Sequence, residues 1–134
     1  MPTGSSVAYL DSSALVKLVV DEAESRALKH ALAEWPRRAT SRLSVIEVLR
    51  AIRRRDLGGT SLARDVLART ALMTVSDRVL VMAAAIGPVQ LPSLDAIHLA
   101  SALRIRGVLG AFVSYDGRQL EAATAAGLPV VTPT

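Results

Sequence analysis

The sequence predicts an α/β protein with a central parallel sheet covered by helices on both faces, a three-layer α/β/α sandwich. Three observations predict it. Short apolar, β-branched runs alternate along the chain with longer stretches of helical periodicity, the pattern of βαβ units. The strand-like runs lack polar alternation, as befits strands buried on both faces. The chain has 134 residues, 51% of them hydrophobic and only 3% aromatic. That suffices for one aliphatic core, and a single domain spanning 1–134 is expected.

The elements follow in order. VAYLD (7–11) has the character of a buried strand. SALVKLVV (13–20) continues as a short helix, and DEAESRALKHALAEW (21–35) as a longer amphipathic one stopped by Pro36. RRATS (37–41) reads as a second strand. SRLSVIEVLRAIRRRD (41–56) is helical, with Val45, Val48, Leu49 and Ile52 forming an i, i+3, i+4, i+7 stripe. Gly58 and Gly59 break it before the helix SLARDVLARTAL (61–72). MTVS (73–76) reads as a strand and DRVLVMAAAIG (77–87) as a helix. LPSLDAIHLASALRIRG (91–107) is a helix with Pro92 and Ser93 at its start and Gly107 at its end. AFVSYD (111–116) reads as a strand, GRQLEAATAAG (117–127) as a helix, and LPVVTP (128–133) as a last strand. Right-handed crossovers follow by default.

Composition excludes several classes. No run approaches the ~18 apolar residues of a membrane helix; the longest candidate, VLVMAAAIGPVQLP, is interrupted by Gly87 and Pro88. The stretch MPTGSSVAYLD has no basic segment before its apolar run, so a signal peptide is not expected there. There are no cysteines, hence no disulfide framework and no thiolate ligand or nucleophile. A cytoplasmic protein is the expectation. The net charge is +4, and 14 of the 16 basic residues are Arg, which suits a polyanionic partner.

In parallel sheets ligands bind beyond the carboxyl ends of the strands. Asp11 closes the first strand and Asp116 the fourth, each at a turn into a helix. Either one alone reads as an N-cap as readily as a catalyst. Glu47 interrupts the third helix on the border between its apolar stripe and a basic face, where pairing with Arg50 is the plain alternative. Asp95 lies in a first helical turn, where the dipole favours an acid. Four carboxylates brought to one edge would raise one another's pKa unless a cation were present. Hard oxygen ligands without Cys select Mg²⁺ or Mn²⁺. Such an ion can polarise a phosphodiester and activate water for hydrolysis.

These residues fall in motifs. YLDSSALVKL (9–18), SVIEVLRA (44–51), LDAIHLASAL (94–103) and FVSYDGRQLEAATAAGLPVV (112–131) resemble, in this order and over essentially the whole chain, a PIN-domain ribonuclease. More narrowly they resemble the toxin component of VapBC-type toxin–antitoxin pairs. The resemblance implies an α/β/α sandwich and Mg²⁺- or Mn²⁺-dependent endonucleolytic cleavage of RNA. It also implies a homodimer and neutralisation by a small DNA-binding antitoxin.

Carried over by motif, Asp11, Glu47, Asp95 and Asp116 are the metal-binding and catalytic acids. Ser13 is the hydroxyl that follows the first Asp, able to position a ligand or to cap its helix. Ser114 is a secondary candidate. Residues 56–92 carry little of the family pattern, so the substrate-reading surface stays undefined.

Of the remaining features, Arg50, Arg53, Arg54 and Arg55 end the third helix near Glu47. Arg50 and Arg54 are the candidate RNA-phosphate contacts, against a solvated helix terminus favoured by the dipole. Arg37 and Arg38 are expected at the opposite end of the sheet. His98 lies one turn after Asp95, within reach of a hydrogen bond near the metal, but a core histidine satisfied by a neighbour is the expected reading, and His30 lies on a surface helix. Trp35 is assigned to packing or a dimer contact. A phosphoaspartyl enzyme is disfavoured, because DSSAL is not D-x-D-x-T/V and the only lysines are Lys17 and Lys29. A non-catalytic RNA- or protein-binding module is the alternative, with the acids reduced to helix caps.

Overall fold

The computed structural model describes residues 6–55 and 58–134. The expectations for residues 1–5 and for the helix end at Asp56 lie outside the described residues. The elements are β1 (Val7–Leu10), α1 (Ser12–Val19), α2 (Ser25–Leu32), β2 (Arg37–Ser41), α3 (Leu43–Arg54) and α4 (Thr60–Ala68). They continue with β3 (Ala71–Met73), α5 (Asp77–Ala85), α6 (Ser93–Arg104), β4 (Leu109–Val113), α7 (Gly117–Ala125) and β5 (Val130–Val131).

The strands form one five-stranded sheet in the order β3-β2-β1-β4-β5, and every pairing is parallel. The strand order reverses at β1. Its successor β2 lies on one side, and β4 returns to the other. Such a reversal opens a crevice beyond the carboxyl ends of the central strands.

Successive strand residues point to opposite faces, and both faces are covered. Ala8, Leu10, Ala111 and Val113 pack with Leu15 of α1, Leu28 of α2, Val48 and Ile52 of α3 and Leu67 of α4. Val7, Tyr9 and Phe112 pack with Ala96 and Leu99 of α6 and Ala122 and Ala123 of α7. Truncating a fully buried Leu such as Leu15 or Leu28 would cost about 2–5 kcal/mol. The double burial explains why the strand sequences are continuously apolar.

Several boundaries differ from expectation for local reasons. β3 occupies 71–73, because Ala71, Leu72 and Met73 pair with Ala39, Thr40 and Ser41. Residues 74–76 instead form the approach to α5, whose N-cap Ser76 accepts from Val79 N at 3.2 Å. α2 starts at Ser25. The Ser25 hydroxyl accepts from Glu22 N at 2.9 Å and donates to Val20 O at 3.0 Å, closing a turn over 20–25. β4 ends at Val113, so Asp116 caps α7 from beyond the strand.

One glycine sets the opposite end of the sheet. A Cβ on Gly110 would stand 2.6 Å from Trp35 Nε1, and the β1–β4 register slips at this point, between Val7 and Ala8. Trp35 is buried there, which settles its role as packing. Arg38 donates to the Trp35 and Leu32 carbonyls at 3.0 and 2.9 Å, tying off the end of α2. Arg37 and Arg38 therefore serve the amino end of the sheet, as expected.

Candidate active site

Asp11 leaves β1 and caps α1 with an extended backbone. The residue is 4% exposed, yet three donors serve its carboxylate. Oδ1 accepts from Ser13 Oγ at 2.6 Å and Ala14 N at 3.2 Å, and Oδ2 accepts from Ser114 Oγ at 2.5 Å. The same hydroxyls accept in turn: Ser13 Oγ from Tyr115 N at 2.9 Å, and Ser114 Oγ from Asp116 N at 3.1 Å. The start of α1 is thereby laced to the β4–α7 turn. Burial pushes the Asp11 carboxyl above the ordinary carboxylate range, with the Ser114 and Ser13 hydrogen bonds and the His98 ring opposing it.

Asp116, the fourth candidate acid, is the N-cap of α7. Its Oδ1 accepts from Arg118 N at 2.9 Å and Gln119 N at 3.4 Å, while Oδ2 has no hydrogen bond among the described residues. Asp95 sits in the first turn of α6, half-buried and with no hydrogen bond to its carboxylate among the described residues. Its carboxyl is also raised, first by burial and then by the charges of Asp116, Asp11 and Glu47. All three other acids are thus close enough to be felt at Asp95.

Glu47 does not pair with Arg50. Its Oε1 lies 2.7 Å from His98 Nε2, and its Oε2 is without a hydrogen bond among the described residues. His98 is 1% exposed, and its Nδ1 is 2.7 Å from the Tyr9 hydroxyl. It is a core histidine satisfied by a neighbour, as expected, but the neighbour is one of the four candidate acids. Tyr9 was not singled out in the sequence. A phenol in an otherwise apolar strand requires a buried polar partner, and that was the available signal.

A cavity of about 620 Å³ opens beside these groups, lined by Ser13, Lys17, Glu47, Arg50, Arg54 and Tyr115 among others. The ends of the basic cluster differ. Arg55 donates to Glu22 at 2.9 Å, within a network that also holds Lys17 against Glu22 and Glu24. Arg50 and Arg54 have no ion pair among the described residues and remain at the cavity wall. Lys17 lies 4.8 Å over the Tyr115 ring.

The donor set suits a hard divalent cation. Glu47 and Asp116 each spend one carboxylate oxygen on the protein and keep the other. Asp95 keeps both, and no soft ligand is near. Among the described residues no three acidic or histidine side chains already form a group that could hold a metal ion. The acids meet at one edge without closing into a cage.

A parallel α/β/α sandwich with acids beyond the carboxyl ends of its central strands defines a class, and the comparisons with known proteins agree on it. The PIN domain family model matches residues 8–125, and the chain belongs to that family. It is 42% identical over 126 residues to Ribonuclease VapC46 of Mycobacterium tuberculosis, covering 94% of this chain and 97% of that protein. Among solved structures it resembles a toxin–antitoxin complex from Klebsiella pneumoniae (TM-score 0.73, 26% identity, 95% of this chain and 98% of that one). It also shares its fold with Mycobacterium tuberculosis VapC20, a sarcin–ricin loop cleaving toxin (TM-score 0.71, 21% identity, 94% and 99% covered). No helix among the described residues is long and apolar enough to cross a membrane.

Proposed function

We propose that the chain is an endoribonuclease of the VapC type, the toxin of a toxin–antitoxin pair, with Asp11, Glu47, Asp95 and Asp116 holding Mg²⁺ or Mn²⁺. What supports this reading is the placement of Asp11, Glu47, Asp95 and Asp116 toward the carboxyl edge of the sheet, with oxygens of Glu47, Asp95 and Asp116 left without a hydrogen bond among the described residues. Its relatives' names, Ribonuclease VapC46 and a toxin–antitoxin complex, supply the substrate class and the partner. RNA and a small antitoxin are accordingly the expected partners, and the cytoplasm the expected place of action.

A bound divalent cation would supply Lewis acidity to the scissile phosphate and offset charge on the leaving oxygen. The chain's own groups do the rest. Asp11, fixed by Ser13, Ser114 and the α1 backbone, gives the site a rigid reference point. Ser13 and Ser114 act by orienting that carboxylate. Arg50 and Arg54, at the cavity wall and without an ion pair among the described residues, contact flanking phosphates and steer the strand toward the acids. Asp116 orders the α7 start with one oxygen and turns the other to the site.

A homodimer is part of the same reading. Val81 and Val89 are 71% and 95% exposed, an apolar surface around α5 and its following loop that a second copy would cover.

The test is cleavage of a panel of structured RNAs by wild type and Asp11→Ala, each with Mn²⁺ and with EDTA. Cleavage only by wild type with Mn²⁺ supports the proposal. A wild type that leaves the whole panel intact, or cuts equally in EDTA, overturns it in favour of a non-catalytic module or a metal-free nuclease.

A further inference from the structure

We infer that His98 is a positioning residue for Glu47, held by Tyr9 so that its Nε2–H fixes Glu47 Oε1 and leaves Oε2 for the cation; this rests on the metal-site reading above. Three side chains from separate elements form the chain of contacts: Tyr9 on β1, His98 on α6 and Glu47 on α3. Both hydrogen bonds are 2.7 Å.

The direction of the bonds follows from the chemistry. An ionised Glu47 can only accept, so a bare Nε2 lone pair at 2.7 Å would be repulsive and Nε2 must carry the proton. Nδ1 faces the Tyr9 hydroxyl at 2.7 Å, and with the ring proton on Nε2 alone that hydroxyl is its donor. The ring has little freedom to turn. Tyr9 stacks on Phe112 with centroids 5.5 Å apart and planes 3° from parallel. His98 meets the edge of Tyr9 at 75°.

The consequence is local. Glu47 comes from a helix anchored by the buried Val48 and Ile52 and by the Ser44–Thr40 hydroxyl contact, and none of these fixes its side chain, which has several rotamers open to it. The imidazole removes that freedom at one oxygen only. A carboxylate oriented by a buried imidazole is a known way to tune a metal ligand, and loss of such a partner weakens metal affinity by about 10–100-fold.

Two substitutions separate this role from simple core filling. His98→Gln keeps an N–H donor near the Nε2 position and withdraws the acceptor from Tyr9. His98→Asn keeps a partner for Tyr9 and withdraws the donor from Glu47. Mn²⁺ affinity is read by electron paramagnetic resonance of the free ion, alongside the melting temperature without metal. Expected is a loss of affinity of about tenfold or more for His98→Asn and a nearly unchanged value for His98→Gln. Equal affinities for all three proteins, or loss with Gln and retention with Asn, overturn the proposal. A wild type that binds no Mn²⁺ instead overturns the metal-site reading, and this inference with it.

Should either variant fail to fold, ¹⁵N spectra of wild-type His98 decide. A protonated Nε2 supports the inference, and a bare Nε2 facing Glu47 refutes it.

Discussion

Asp11 is fixed by three donors and shielded from solvent, whereas Asp95, at the same edge of the sheet, is half-buried and has no hydrogen bond among the described residues. Both carboxyls are pushed up, but for different reasons. At Asp11 burial dominates and the hydroxyls oppose it. At Asp95 the charges of three other acids add to burial. A site built this way can be rigid and still depend on a cation. Asp11 belongs to the scaffold, since its oxygens tie α1 to the β4–α7 turn. Asp95 is placed by its helix alone, and in the account above only a bound cation relieves its repulsion.

The largest expected effect falls equally on both. If each acid serves the same cation, Asp11→Ala and Asp95→Ala each lower kcat/KM for RNA cleavage by on the order of 10²–10³-fold, since metal charge stabilisation is worth several kcal/mol. A variant of either that keeps more than a tenth of the activity breaks the equivalence.

Stability separates them. Asp11→Ala removes an N-cap and strands the buried Ser114 and half-buried Ser13 hydroxyl donors, for a loss of about 2–4 kcal/mol by denaturant unfolding. Asp95→Asn removes a like charge and no hydrogen bond, so the metal-free protein should be unchanged or more stable. A reversed order would mean that burial of the Asp11 charge outweighs its anchors.

The basic rim shows the same contrast between held and free groups. Arg54→Ala should raise KM several-fold and flatten the salt dependence of binding by roughly 0.7 in log–log slope. Arg55→Ala should leave RNA binding nearly intact and cost less than about 1 kcal/mol, the worth of an exposed ion pair.

The smallest effect is on pH. A carboxyl raised in the folded state binds its proton more tightly there than in the unfolded chain. Stability is therefore fullest below the ordinary carboxylate range and falls as pH rises toward the folded value. The metal-free wild type should lose melting temperature between pH 4 and neutrality relative to Asp95→Asn. The lowered Glu22, paired with Arg55 and Lys17, contributes with opposite sign but cancels between the two proteins. Parallel curves would mean that Asp95 is not raised.

Much of this was legible in the sequence because it is local. Strand runs, helix stops at Pro36 and Gly107, and acids at turns into helices depend on neighbours in the chain, and β2 lies at 37–41 as read. β3 and β4 were displaced because pairing, not local apolarity, decides where short strands begin and end. Asp11 and Asp116 could be named as candidates because turns that follow strands in a parallel sheet share one edge, whereas Glu47 and Asp95 rested on the family resemblance. What Asp11 and Glu47 touch could not be named in advance. Ser114 reaches Asp11 across 103 residues, and Tyr9 reaches His98 across 89. No periodicity reports contacts of that span.

The proposed cation site rests on unequally anchored acids acting together. It is tested most directly by the melting temperatures of wild type and Asp95→Asn, each with and without Mn²⁺. At an Mn²⁺ concentration of about 100 times the dissociation constant, wild type should gain about 2.7 kcal/mol of stability. That corresponds to a rise of several degrees. Asp95→Asn should gain little at the same concentration. Equal gains in both proteins, or none in wild type, would contradict the claim.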